Sequence, residues 1–372
     1  MRVLFRKSYK QDIRLFRDRT QAFWYLLFLC IALAAPLFLD GYFLDELSFV
    51  YIYAIAGLGL MILTGFSGQV SFGQAAFVAI GAYAHTILLS RYGVPWILSL
   101  PLAALITGLV GLAIGRICGR MHGLYLAIAT LSIAIVTERL IGGGGDFTGG
   151  HRGLPVPGID IFGIAIDQSW KTYLLNLALF VGAILMTRNL LRTRSGRALI
   201  AIRDSEVSAR SLGTNVAFYK AYAFFLSAVF AGLAGGLLAH AFYYITPETF
   251  GMGESIRLLL MIVVGGIGTI HGAIFGAFFI VLLPTVLVVA TLVLVVAGGV
   301  AETREPRFTG LMLLFTAAAA LTATVEVEEE VAAGAVAWAQ FLNRPLRKRV
   351  SSTRFARPSR SLSPSSKGAK RG

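Results

Sequence analysis

The sequence predicts an all-α, polytopic integral membrane protein of about ten transmembrane helices, and three observations carry that expectation. Of 372 residues, 56% are apolar and 14% charged, with a mean hydropathy of +0.75, too little polar surface to cover a soluble globule. The apolar residues gather in successive runs that are each about long enough to cross a bilayer. Between the runs, lysine and arginine concentrate at the N-terminus, at 116–122, at 187–220 and in the tail. If every run crosses once, all four lie on one side, which the lysine and arginine bias makes cytoplasmic.

The same blocks account for a formal net charge of +14. They contain no nucleic-acid-binding motif, so the charge reads as a topology signal and no nucleic-acid partner is expected. Residues 1–20, with Arg2, Arg6, Lys7, Lys10, Arg14, Arg17 and Arg19, form a basic cytoplasmic segment. The run at 23–39 has no small-residue cleavage site after it and reads as a retained first span. A permease-sized apolar domain then occupies 21–325, and 326–372 is a basic tail rich in Ser and Pro, disordered on composition.

The run at 47–63 gives way to a polar, glycine-rich insert at 64–74. Gly65, Gly68 and Gly73 permit close approach or positive φ, while Ser67, Gln69, Ser71 and Gln74 offer partners to backbone groups that a broken helix releases. A discontinuous helix lining a pathway needs this composition. A plain cytoplasmic turn between closely packed helices accommodates it equally well. Spans at 75–89, 96–117 and 123–141 follow, the last carrying Glu138 near its outer end, where an acid is either functional or snorkels to the boundary.

Residues 142–172 make a long, irregular external loop of glycines and prolines. After a short span at 173–186 comes a polar segment, 187–220, holding Arg188, Arg192, Arg194, Arg197, Arg203, Arg210 and Lys220 against Asp204 and Glu206. Leu199, Ile202, Ala209 and Leu212 fall on one side of a short helix, Arg203, Asp204 and Arg210 point elsewhere, and Gly213 stands where a left-handed cap would. The segment is then either an amphipathic helix outside the bilayer, its stripe open to a protein or to lipid, or a solvated basic loop. Runs at 221–244, 256–270, 271–296 and 308–325 complete the count. A second glycine-rich break, with Gly265, Gly266 and Gly268, joins two of them.

No catalytic constellation accompanies these features. His85, His122, His151, His240 and His271 lack metal-ligand spacing, and Cys30 and Cys118 are isolated. The phosphate-binding GxxxxGK loop is missing, so ATP is not bound in that manner and any ATP-driven work belongs to a partner. The chain is expected to be no enzyme and to need no cofactor and no metal.

Five stretches resemble, in order and spacing, one family: TGFSGQVSFGQAAFVAIGA at 64–82, GLYLAIAT at 123–130, TGGHRGL at 148–154, SGRALIAIRDSEVSARSLG at 195–213 and GGIGTIHGAIFGA at 265–277. They look like the membrane permease subunit of bacterial branched-chain amino-acid ABC importers. The basic N-terminus and the TGG-type loop resemble its longer, second type. The resemblance covers roughly residues 10–290.

It implies that 198–213 is a coupling helix seated in a groove of an ATP-binding subunit, with Ala198, Ala201, Ile202, Arg203, Ala209, Leu212 and Gly213 at the contact. The breaks at 65–74 and 265–268 would border the translocation route. Thr148, Gly149, Gly150 and Gly153 would face a periplasmic substrate-binding protein. The implied partners are a second permease subunit, ATP-binding subunits, that receptor, membrane lipid and a neutral amino acid in transit across the bacterial inner membrane. A urea or short-amide importer shares the motifs. An ion-coupled secondary transporter would require an acid buried in mid-span. The C-terminal part departs from the family pattern after Pro284, as a shifted reading frame, a lineage-specific tail or a basic device for binding anionic lipid would make it.

Overall fold

The computed structural model describes residues 19–300 apart from 122, 162, 163 and 167. The basic segment up to residue 18, the run expected at 308–325 and the basic tail therefore lie outside the described residues. By internal contacts the chain divides into a unit Met1–Val286 and a unit Leu287–Gly372; the described part of the second, 287–300, is helical.

The first unit is a helical assembly: α1 (Arg19–Phe38), α2 (Gly41–Leu60), α3 (Gln74–Ser90), α4 (Trp96–Cys118), α5 (Leu124–Gly142), α6 (Ser169–Arg192), α7 (Arg194–Asp204), α8 (Glu206–Ser211), α9 (Val216–Phe242), α10 (Met252–Gly265) and the start of α11 (Ile270–Val300). A helix pairs its backbone groups within itself, the condition a bilayer imposes on any single segment that crosses it. The apolar runs expected before residue 300 are mainly helical, though the one at 256–270 is interrupted after Gly265. Six of the helical stretches are long and apolar enough to cross a membrane, namely Gly41–Phe66, Trp96–Cys118, Leu124–Gly142, Ser169–Arg192, Val216–Phe242 and Ile270–Val288. Tyr25–Phe38 and Gln74–Ser90 are apolar but shorter.

Small residues let these helices pack closely, as membrane helices do. A methyl group added to Gly81 of α3 would come within 2.6 Å of the Gly232 carbonyl oxygen of α9. One added to Gly111 of α4 would reach 2.9 Å from the Phe224 carbonyl oxygen. Helices α2 and α9 are consequently buried along most of their length, while α4, α5 and α6 keep wide apolar faces exposed, the faces that a bilayer covers.

One polar cluster fastens the far end of the bundle from the basic segment. His85 Nε2 lies 2.8 Å from His240 Nε2, Trp96 Nε1 donates to the same nitrogen at 3.0 Å, and Ser99 Oγ sits 2.9 Å from His85 Nδ1. Beside it the loop between α5 and α6 is tied down by short strands. β1 (Leu154–Pro155) pairs antiparallel with β4 (Tyr244–Ile245), Leu154 opposite Ile245, and β2 (Asp160–Ile161) pairs with β3 (Ile164–Ala165).

Candidate coupling and translocation site

Capping residues delimit the polar segment. Thr193 Oγ1 accepts from Gly196 N at 3.3 Å to start α7, Ser205 Oγ accepts from Ser208 N at 3.3 Å to start α8, and Asn215 Oδ1 accepts from Phe218 N at 3.1 Å to start α9. The single helix expected at 198–213 is therefore two, because Ser205 takes an extended conformation (φ −162°, ψ 112°) in order to cap the second.

This elbow divides the apolar stripe. Leu199, Ile202 and Ala209 are buried, and Ile202 and Ala209 pack with Val216 and Tyr219 at the base of α9. Leu212, placed on the same stripe by the one-helix reading, is instead 84% exposed, and Val207, which that reading did not single out, is 82% exposed. Ile202 and Ala209 thus hold the segment to the base of α9. Ala201 and Gly213 are exposed and Ala198 is half-buried; Gly213 has φ +82°, the left-handed conformation that glycine tolerates. A second anchor is electrostatic: Lys220 Nζ, 3% exposed, lies 2.5 Å from Glu206 Oε1.

Arg203 turns the other way. Its Nη1 donates to the Gly65 carbonyl oxygen at 3.2 Å, and its Nε and Nη2 donate to Asp204 Oδ1 at 3.1 and 3.0 Å. A methyl group on Gly68 would stand 3.2 Å from Arg203 Cγ, and one on Gly268 would stand 3.5 Å from Arg203 Nη1. One side chain of the polar segment therefore touches both glycine-rich breaks.

The breaks also touch each other. At the first, α2 widens into a π-helical turn, Met61–Phe66, and the chain then runs irregularly to α3. The released backbone groups find side chains: Ser67 Oγ donates to Leu63 O at 2.9 Å, Gly73 N donates to Ser71 Oγ at 3.2 Å, and Gln74 Nε2 donates to Ala56 O at 3.4 Å. Gln69 does something else, its Nε2 donating to Ser67 Oγ at 2.6 Å. At the second, α10 ends at Gly265, and Gly266 and Gly268 have φ of +108° and +89°. Gly268 N donates to Met61 Sδ at 3.0 Å, and a methyl on Gly65 would lie 2.9 Å from Gly268 N. Only glycine at 65 leaves room for that approach without displacing backbone.

In the loop between α5 and α6, Thr148 Oγ1 donates to Ile141 O at 2.6 Å, and Gly149, Gly150 and Gly153 all have positive φ. His151 Nδ1 and Glu248 Oε1 are 3.0 Å apart, and this hydrogen bond holds the Glu248 carboxyl below its ordinary range. Arg91 bonds the Asp146 carbonyl and stacks on Phe147, its guanidinium 5.4 Å from the ring centre. Glu138 is half-buried, its carboxylate close to Gly251 at the start of α10.

Sequence reasoning passed over one buried group. Glu254 and Arg257 of α10 lie 3.8 Å apart with side chains 12% and 10% exposed, and Arg257 Nη1 donates to Tyr53 Oη of α2 at 3.2 Å. The signal was present as two ionisable residues at i and i+3 beside an apolar run. Among the described residues no cluster of three or more metal-ligating side chains occurs.

Residues 42–322 match the family described as branched-chain amino acid transport system / permease component. The high-affinity branched-chain amino acid transport system permease protein LivM of Salmonella typhimurium is 34% identical over 285 residues, 70% of this chain and 67% of that protein. LivM of Escherichia coli K12 is 33% identical over 277 residues, 68% of this chain and 65% of that protein. The autoinducer 2 import system permease protein LsrC of Salmonella typhi is 30% identical over 206 residues, 51% of this chain and 56% of its own. The chain thus spans about two thirds of the length of its LivM relatives. No solved structure matches it. The family match runs to residue 322, past the roughly 290 at which the resemblance read from the sequence ends. On the family match and the LivM identity together, this chain belongs to the branched-chain amino acid transport permease family, as a multi-pass transport component rather than an enzyme.

Proposed function

We propose that this chain is the permease subunit of an ATP-driven importer that moves branched-chain or similar neutral amino acids across the bacterial inner membrane by alternating access. Its partners are a second permease subunit, ATP-binding subunits and a periplasmic receptor, with lipid around the apolar faces of α4, α5 and α6. The observation that carries the reading is Arg203, which bonds Gly65 and borders Gly68 and Gly268 from within a segment that keeps Val207 and Leu212 exposed. An ATP-binding subunit grips the exposed residues, and a rigid-body shift of α7 and α8 reaches both breaks through one side chain.

The N-terminus and the tail are cytoplasmic in this reading, α3 and α10 are discontinuous spans, and the loop tied to Glu248 receives the receptor. About ten crossings follow if α1, α3, α10 and the run at 308–325 each cross. Domain limits follow the same scheme, a basic cytoplasmic 1–20, a permease domain 21–325 and a basic tail.

The test is uptake by vesicles reconstituted with the full set of subunits and loaded receptor. Leucine should accumulate when ATP is present on the side of the ATP-binding subunits and not when only a proton or sodium gradient is imposed. Accumulation on an ion gradient without ATP would replace the reading with a secondary transporter.

A further inference from the structure

Resting on the importer reading, we propose that Glu254 and Arg257 form a charge pair that opens to receive a zwitterionic solute in transit. Glu254 takes the ammonium group and Arg257 the carboxylate. Urea or a short amide, which carries neither charge, would gain nothing from this pair.

The location is the first argument. Ser255, between the two residues, accepts Ala75 N on Oγ at 3.2 Å, so the beginnings of α10 and α3 lie side by side. Ser255, Gln74 and Ala75 are wholly buried there, and Ser227 Oγ of α9 donates to Gln74 Oε1 at 3.0 Å. Two short helices starting together inside the apolar body is the arrangement from which transporters build sites at mid-membrane. Ionisable groups at such depth are costly and are kept where they meet a partner or a permeant.

The pair is also incompletely made. A charge-assisted hydrogen bond between nitrogen and carboxylate oxygen spans about 2.7–2.9 Å, whereas Arg257 Nη1 and Glu254 Oε2 are 3.8 Å apart. Glu254 Oε1 is buried with no hydrogen-bond partner among the described residues. Arg257 is meanwhile held in place, its guanidinium 4.5 Å from the centre of the Tyr53 ring and bonded to the Tyr53 hydroxyl. One charge is thus oriented, and one oxygen of the other lacks a donor.

The third argument concerns depth of binding. A route must hold its solute weakly enough to release it. Isolated buried charges would make a deep well for a zwitterion, but a pair that already faces itself exchanges one contact for two of similar kind. The solute is recognised and still leaves.

A structural staple between α10 and α2 would use the same contacts, so the test separates the two. The fully assembled transporter is reconstituted with Glu254→Gln, with Arg257→Gln and with both, and radiolabelled leucine moved is measured per ATP hydrolysed. The double variant is decisive, because it removes both charges and strands neither. It should assemble and carry about tenfold less leucine per ATP, the loss expected for a charge-assisted contact. Leucine per ATP equal to wild type in the double variant overturns the proposal. So does a loss of uptake that merely tracks the loss of assembled complex. Failure of wild type itself to move leucine with ATP would instead sink the importer reading.

Discussion

Lys220 is buried almost completely, and that makes the attachment of the polar segment measurable. Its ammonium lies 2.5 Å from Glu206 Oε1, with Lys220 3% and Glu206 31% exposed. Glu206→Gln leaves the ammonium buried opposite a neutral amide. Breaking a fully buried pair costs about 3–5 kcal/mol, whereas an exposed pair contributes under about 1 kcal/mol. With one partner a third exposed, the expected cost is about 2 kcal/mol, a roughly 30-fold rise in the population with α8 detached. Lys220→Met removes the deeper charge and leaves Glu206 partly solvated, so the double variant should cost less than Glu206→Gln alone. Amide hydrogen exchange of residues 206–213 in the assembled transporter reads the detachment directly. Exchange in Glu206→Gln within about twofold of wild type, or a double variant equal to the sum of the singles, would refute the reasoning.

Other expectations follow from the same geometry. Leu212→Glu and Val207→Glu should abolish co-purification of the ATP-binding subunits while the permease still inserts. Ala209→Glu should instead lower the yield of folded permease, because it drives a carboxylate into the Ile202, Val216 and Tyr219 cluster. Gly65→Val should destabilise the purified permease by about 1–3 kcal/mol through overpacking against Gly268, read as a lowered melting temperature. Glu248 is held below its ordinary range by His151, so its contribution to the external clasp is present above the usual carboxyl value of 4.5 and is lost as pH falls through the depressed one. Peptic cleavage of the 143–168 loop, normalised to an unstructured peptide, should therefore rise on acidification, and His151→Asn should flatten the rise.

The helices were legible because apolar runs in lipid leave the backbone one answer, and the runs expected before residue 300 are mainly helical, with six stretches long and apolar enough to cross. The two breaks were legible from glycine and small polar residues. Their meeting was not: Met61 and Gly268 are 207 residues apart, and no local pattern records which glycine faces which. Nor did the spacing of Leu199, Ile202, Ala209 and Leu212 reveal the elbow. A period drawn through Ser205 assumes a continuous helix, while the serine's preference for capping interrupts it. The same assumption hid Val207, which one continuous helix would not have turned to solvent beside Leu212. His85 and His240, each read singly as a packed residue, are partners across 155 residues.

The central claim is that Arg203 transmits motion from the segment outside the membrane to both glycine breaks. Arg203→Gln tests it most directly. It removes a charged donor from the Gly65 carbonyl while leaving Val207, Leu212 and the Glu206 to Lys220 anchor untouched. With the complete transporter in vesicles, the account predicts that the ATP-binding subunits still co-purify but leucine uptake falls about tenfold, the order expected for one charged hydrogen bond. Uptake at the wild-type rate with Arg203→Gln would contradict it.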